Sequence, residues 1–193
     1  MQAYRVTIEG ISPYSQSKYI DTEAVPLQGK EGKDAYEKRT WQERVHRDAS
    51  GMPYMPAMSL KKALDVASGY LGKIPGQKNA TYTKRFKSGL LITDNITLHV
   101  KGRPATLEDW DGEWLFLDAG GKAGQGSTRV KRRMPRLVSW TATAVVHVID
   151  ETITDDVLER ALTDAGKLVG VGRFRPQNGG FYGRFIVKEI EEV

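Results

Sequence analysis

Residues 169–185 read VGVGRFRPQNGGFYGRF, with five glycines, three arginines, four aromatic residues and no carboxylate. This composition suits capture of an anionic chain. Glycine permits positive φ and close approach, and its N–H groups can point at phosphate oxygens. Gly170, Gly172 and Gly180 are the expected points of approach. Arg173, Arg175 and Arg184 would neutralise charge, while Phe174, Phe181 or Tyr182 would stack on bases. The competing use of the same residues is a structural loop, with rings such as Phe181 and Phe185 tucked into the core.

Two further stretches offer the same chemistry. Residues 119–136 read AGGKAGQGSTRVKRRMPR and carry Arg129, Lys131, Arg132, Arg133 and Arg136. A glycine-rich, acid-free run of this kind predicts a mobile basic loop that orders on a ligand. Residues 72–93 are also free of acid and hold five cations, Lys84 and Arg85 among them. Ser59 and Lys61, at a helix start, can hold a phosphate through cap geometry and the helix dipole. The net charge of +5 is modest. Its segregation into three acid-free runs is the pattern of a nucleic-acid binder.

Catalytic signals are weaker. His46, His99 and His147 lie far apart, and Asp21 follows the first strand without a supporting motif. The expectation is binding without catalysis. The absence of cysteine excludes disulfides, thiolate zinc sites and cysteine nucleophiles. No ligand spacing points to a metal, and no cofactor is expected. The N-terminus reads as a strand, and no apolar run approaches membrane-spanning length. A cytoplasmic protein with no membrane partner is expected.

Hydrophobic periodicity supplies the elements. Tyr4, Val6 and Ile8 alternate with polar residues as a first strand, and Ile96, Leu98 and Val100 as another. Residues 34–47 suggest a helix with Tyr36, Trp41 and Val45 inward. Leu60, Ala63, Leu64, Ala67 and Leu71 share one helical face, with Pro56 at the start and Ser59 as cap. Residues 72–89 read as a loop. Asp111-Gly112 between Trp110 and Trp114 signals a hairpin turn. Residues 137–149 read as one long strand. Val157, Leu158, Ala161, Leu162, Ala165 and Leu168 stripe a second helix capped by Thr152 or Thr154. A final strand covers about 183–191. This order predicts one α+β domain spanning 1–193. Two helices lie on one face of an antiparallel sheet, with an insertion at about 12–50.

Two stretches together resemble the RAMP superfamily, the repeat-associated RNA-binding proteins of CRISPR systems. YMPAMSLKKALDVAS resembles that superfamily's hPGSSLKGxLR helix start and matches it at Ser59, Leu60 and Lys61. Ala57, Met58 and Lys62 depart from it. LERALTDAGKLVGVGRFRPQNGGFYGRFIV resembles its closing signature of helix, glycine-rich loop and strand, matching at Gly170, Gly172, Gly180, Gly183 and Arg184. The likeness covers residues 52–71 and 137–190. It implies a ferredoxin-like, RRM-like core with residues 119–136 as a thumb. It also implies a non-catalytic subunit, most like the crRNA-binding backbone subunits of effector complexes, in a small divergent form such as a phage or plasmid carries. The partners implied are single-stranded RNA, copies of the chain arranged head to tail along it, and other effector subunits. Two alternatives remain: a crRNA-processing endoribonuclease of the same fold, and a phage single-stranded DNA-binding protein.

Overall fold

The computed structural model describes residues 1–118 and 129–193. In chain order the elements are β1 (Gln2–Gly10), β2 (Tyr14–Ser15), α1 (Lys33–Thr40), β3 (Tyr54–Met55), α2 (Ala57–Ala67), α3 (Tyr82–Gly89) and β4 (Leu90–Leu91). There follow β5 (Ile96–Val100), β6 (Arg103–Pro104), β7 (Asp111–Asp118), β8 (Arg129–Leu137), β9 (Thr141–Val148), α4 (Asp155–Asp164) and β10 (Phe185–Glu192). The fold is α+β with two antiparallel sheets.

The main sheet runs in the order β10-β1-β9-β5-β3, with β4 added to β9 and β6 to β5. Alternation within its strands decides which face is covered. Tyr4, Val6 and Ile8 of β1 pack with Ala142, Ala144, Val146 and Val148 of β9. Leu60 and Leu64 of α2 and Leu158 and Leu162 of α4 complete the same core. The outward residues Arg5, Thr97 and Val145 are exposed. A second sheet, β2-β8-β7, stands beside this core and carries the insertion.

Both helices with clear 3.6-residue periodicity form where their apolar stripes predict. Other expectations are corrected. Residues 82–89, read as loop, form α3, because Tyr82 and Phe86 are one helical turn apart and both buried. Asp111-Gly112 makes no turn but opens β7, whose partner β8 lies beyond residues 119–128. The long strand is broken. Leu137 ends β8, Val138 is 58% exposed, and β9 begins at Thr141. Ser59 is not the cap: Pro56 occupies the boundary, and the Ser59 N–H already donates to Pro56 O at 2.8 Å. The basic run at 129–136 is strand β8, while 119–128 lies outside the described residues.

Leu168 also departs from its stripe. Residues 165–169 form a turn of π-helix after α4. The wider turn rotates the next side chains backward, so Val169 is buried and Leu168 is 49% exposed. Leu168→Glu is therefore expected to change unfolding free energy by no more than about 0.5 kcal/mol. A fall of several kcal/mol on urea denaturation would place Leu168 in the core instead.

Candidate nucleic-acid interface

The end of β1 pairs with the start of β10 at Gly10 and Phe185, and the glycine-rich loop closes over that end of the sheet. Its backbone is laced to the residues after β1. The Arg173 N–H donates to Ser15 O (2.8 Å), and the Gly183 N–H to Pro13 O (2.7 Å). The Arg184 N–H donates to Ser12 Oγ (2.9 Å). Within the loop, the Val171 N–H donates to Gly183 O and the Tyr182 N–H to Phe174 O.

These crossings account for the glycines. Gly172 has φ +75°, and a Cβ there would lie 2.4 Å from Ser15 O and from the Tyr14 ring. Gly183 has φ +70°, and the same added atom would lie 1.8 Å from Val171 O. Pro176 and Phe174 fill the corresponding space at Gly170 and Gly180. The close approach expected toward a ligand is therefore an approach to this chain's own atoms.

Arg173 and Arg175 are different. Arg173 Nη1 and Arg175 Nε are sealed from solvent, and neither has a hydrogen-bond partner among the described residues. Burial, and then the charge of Arg44, pushes the Arg173 pKa down from its ordinary value. The guanidinium nevertheless stays charged at neutral pH. Both side chains are only partly buried, but a guanidinium nitrogen sealed without an acceptor is costly, and an anion placed beside it would offset that cost.

A cleft of about 230 Å³ lies next to Arg173, lined by Tyr14, Gln16, Ser17, His46, Pro56, Ser59, Gly172 and Arg173 itself. Gln16 sets its walls. Its Nε2 donates to Tyr54 O (2.7 Å), and its Oε1 accepts the His46 N–H (2.6 Å). One buried amide thus ties the segment after β2 to both the insertion and β3. Tyr14 is buried against Trp110 and Trp140. Burial pushes its phenol well up, although hydrogen bonds to Gln16 and Ser59 act the other way. Pro56 and Ser59 bring the first turn of α2 to the cleft. The aligned peptide dipoles of α2 give this end a partial positive charge, although the Ser59 N–H is already taken by Pro56 O. Burial, and then Lys18, hold the His46 imidazole below its ordinary 6.5, so it is neutral at pH 7. The cleft wall thus holds one cation, Arg173, with Ser17 and Ser59 beside it, while Lys18 and Arg44 act on the site through their charge.

The aromatic residues divide. Phe174 (43% exposed, φ +56°) and Phe181 (52% exposed) stand at the loop surface. Phe185 is in the core. Tyr182 is buried, with its hydroxyl bonded to Glu113. Burial and then that bond push its phenol up to about 12. Tyr182 is thus a structural ring rather than a stacking platform.

The cations of residues 129–136 are mostly answered by carboxylates from elsewhere. Asp111 sits directly opposite Arg136 in the β7–β8 pair. Arg136 binds Asp111 (2.8 Å) and reaches Glu113 (3.4 Å). Lys131 meets Asp34 (2.6 Å) and Arg132 meets Glu37 (2.6 Å). The Arg133 guanidinium lies over Trp41 and Trp114, and its Nε donates to Gly112 O (3.1 Å). Arg132 and Arg133, expected on a mobile loop, are fixed in a strand. Arg129 opens that strand and is exposed.

Lys61 is also turned inward. It is 6% exposed, with Nζ on Asp65 (2.5 Å) and the carbonyl of Phe86 (3.1 Å). Lys84 and Arg85 belong to α3, where Arg85 meets Asp150 (3.3 Å). Of the histidines, only His46 lines the cleft. His99 and His147 lie on β5 and β9, and Asp21 is exposed in the insertion. Among the described residues no group of His, Cys, Asp and Glu could hold a metal. None of their helices is long and apolar enough to cross a membrane. Gln16 and His46 line the cleft from the insertion, and Lys18 and Arg44 of the same insertion act on it through their charge; only its 34–47 stretch carries a helical signal.

No family model matches the chain, and no curated protein does. Among solved structures, the chain is similar to Cmr6 from Pyrococcus furiosus, with 12% identity, a TM-score of 0.52, and coverage of 95% of this chain and 97% of that one. It is also similar to a chain of the Type III-B Cmr-beta complex bound to cognate target RNA, with 14% identity and a TM-score of 0.51. That match covers 100% of this chain and 60% of the other, so this chain is much the shorter. At these identities the likeness is one of fold.

Proposed function

We propose that this protein is a non-catalytic, RNA-binding subunit of a CRISPR-type ribonucleoprotein. In this reading it coats guide-like single-stranded RNA with copies of itself and meets other effector subunits there. The observation that carries the reading is the enclosed, unpartnered Arg173 Nη1 in the wall of the cleft, with a second unpartnered guanidinium nitrogen, Arg175 Nε, two residues on in the same loop. Both side chains are only partly buried, so a small shift of the loop would bring a phosphate oxygen to these groups as the acceptor they lack, and Phe174 and Phe181, exposed in the same loop, would take bases. The fold supports the same reading. We read the strand order β10-β1-β9-β5, with α2 and α4 as crossovers, as the fourth-first-third-second order of a ferredoxin-like core. The solved structures of similar fold include a subunit of an RNA-bound CRISPR complex.

His46 favours a second reading. It is a neutral imidazole in the cleft wall, and a neutral imidazole can act as a general base in RNA cleavage. One experiment separates the readings. Labelled single-stranded RNA is incubated with the protein at low salt in EDTA, with excess unlabelled RNA or DNA as competitor. The proposal expects intact RNA in a retained complex that RNA displaces and DNA does not. Cleavage lost in His46→Ala would establish the nuclease. Displacement by DNA alone would indicate a DNA-binding protein, and no complex at all would refute the proposal.

A further inference from the structure

Two of the three acid-free runs line no part of the cleft, and the cations of 129–136 are mostly answered by carboxylates, which leaves residues 72–93. Residues 72–93 end in β4, where Leu90 pairs with Val148, the residue opposite Gln2. The cleft lies at the other end of β1, beyond Gly10. Nine residues of strand, about 26 Å, separate the two ends. Lys73, Lys78, Lys84 and Lys87 are exposed, and none forms an ion pair among the described residues. This basic surface therefore belongs to another contact.

The helix layer shows where that surface faces. α2 packs against both α3 and α4. α4 rests on β10, the strand at one edge of the main sheet. α3 feeds β4, which lies on the opposite side of β9 from β1. The two outer helices thus flank α2 on opposite sides of the protomer.

Their charges are opposite too. Residues 72–93 hold five cations and no carboxylate, while α4 and β10 together hold seven carboxylates and two cations. Asp156, Glu159, Glu189 and Glu192 are exposed, and none forms an ion pair among the described residues. A groove of about 390 Å³ runs between α4 and β10, with Glu159 and Glu189 in its lining beside Lys167 and Lys188, of which Lys188 is already paired with Glu9. The outer edge of β10 has no strand partner in the described sheet.

We infer that the acidic α4–β10 flank of one protomer docks on the basic Lys73–Lys87 flank of the next copy. The inference rests on the RNA-coating reading for the scaffold that lines the copies up; the choice of surfaces rests on charge. Complementary potentials orient an encounter and speed it, whereas a two-fold dimer through either flank would set like charges together. Two different flanks on opposite sides of a protomer make a heterologous contact, which repeats rather than closes. The contact is screened beyond about 8 Å at physiological ionic strength, so it weakens with salt.

Charge reversal tests this. One variant carries Lys73→Glu, Lys78→Glu and Lys87→Glu; the other carries Glu159→Lys, Glu189→Lys and Glu192→Lys. Urea midpoints confirm that both fold. On an RNA long enough for several copies, the expectation is that each variant alone no longer fills the RNA in contiguous arrays by light scattering. An equimolar mixture restores them, because each reversed flank meets its complement. At physiological ionic strength, on an RNA that takes one copy, both variants bind within about twofold of the parent, since neither alters the cleft and the reversed charges lie well beyond the screening length of about 8 Å. Array formation by either variant alone, or a mixture that fails to recover, overturns the inference. Loss of one-copy binding by the lysine variant also overturns it and makes the basic flank a nucleic-acid surface. If the parent protein binds no RNA, the coating reading fails; association of the mixed variants at low salt, followed by sedimentation, then decides the flank contact independently.

Discussion

Replacing Glu37 with alanine is expected to cost about 3–5 kcal/mol of unfolding free energy, the size of effect seen when one partner of a buried ion pair is removed. Glu37 is 1% exposed in the middle of the insertion. It accepts from Arg44 (2.9 and 3.0 Å), from Arg132 (2.6 Å) and from the backbone N–H of Arg133 (3.0 Å). Without it, the largely buried Arg44 side chain, 12% exposed, loses its carboxylate partner. Arg132 can return to water, but the Arg133 N–H cannot. α1 would then separate from β8, and the insertion wall of the cleft would loosen.

The same carboxylate sets an acid dependence. Burial alone would raise its pKa. The hydrogen bonds from Arg132 and the Arg133 N–H, together with the charge of Arg44, more than reverse this, so it titrates below its ordinary 4.5. A carboxyl depressed on folding contributes stability that is fully present above 4.5 and is lost as pH falls through the folded value. The difference in urea midpoint between the parent and Glu37→Gln should therefore be largest near neutrality and shrink below pH 4.5. A Glu37→Ala loss under about 1 kcal/mol would mean that the network is solvated rather than buried.

This carboxylate also shows where the sequence was readable. β1, α2 and α4 announced themselves because a buried face repeats at a fixed period, and the structure forms them there. The charge runs misled for a corresponding reason. Residues 129–136 are acid-free along the chain, but strand pairing brings Asp111 opposite Arg136, and packing of α1 brings Asp34 to Lys131 and Glu37 to Arg132. Charge separated in sequence is thus paired in space. The Asp111-Gly112 pair resembled a turn because local chemistry cannot see a partner strand. Tyr182 resembled a stacking ring because its acceptor, Glu113, is remote in sequence. Arg173 and Arg175 stand out in the sequence as cations, yet only the structure shows that one nitrogen of each is enclosed by protein atoms that do not accept from it. Gln16, which joins the cleft walls, left no trace in any pattern.

That enclosure yields the second large expectation. Arg173→Ala with Arg175→Ala should weaken single-stranded RNA binding by about a hundredfold, equivalent to losing two charge-assisted hydrogen bonds of about 1.4 kcal/mol each. Stability should hold or rise. Burial and Arg44 already make the Arg173 charge unfavourable in the folded protein. Removing it leaves no acceptor stranded among the described residues, since Nη1 has none. A structural role would give the opposite result, a clear drop in Tm with little change in affinity for the folded fraction.

The most direct measurement is the affinity for single-stranded RNA across a salt series, for the parent and for this double variant. Each neutralised phosphate on a single strand contributes about −0.7 to the slope of log K against log salt, so four to six contacts predict about −3 to −4 for the parent. Loss of two of those contacts predicts a slope shallower by about 1.4 in the variant. A parent slope near zero, or equal slopes and equal affinities for the two proteins, would contradict the assignment of Arg173 and Arg175 as residues that hold the RNA backbone.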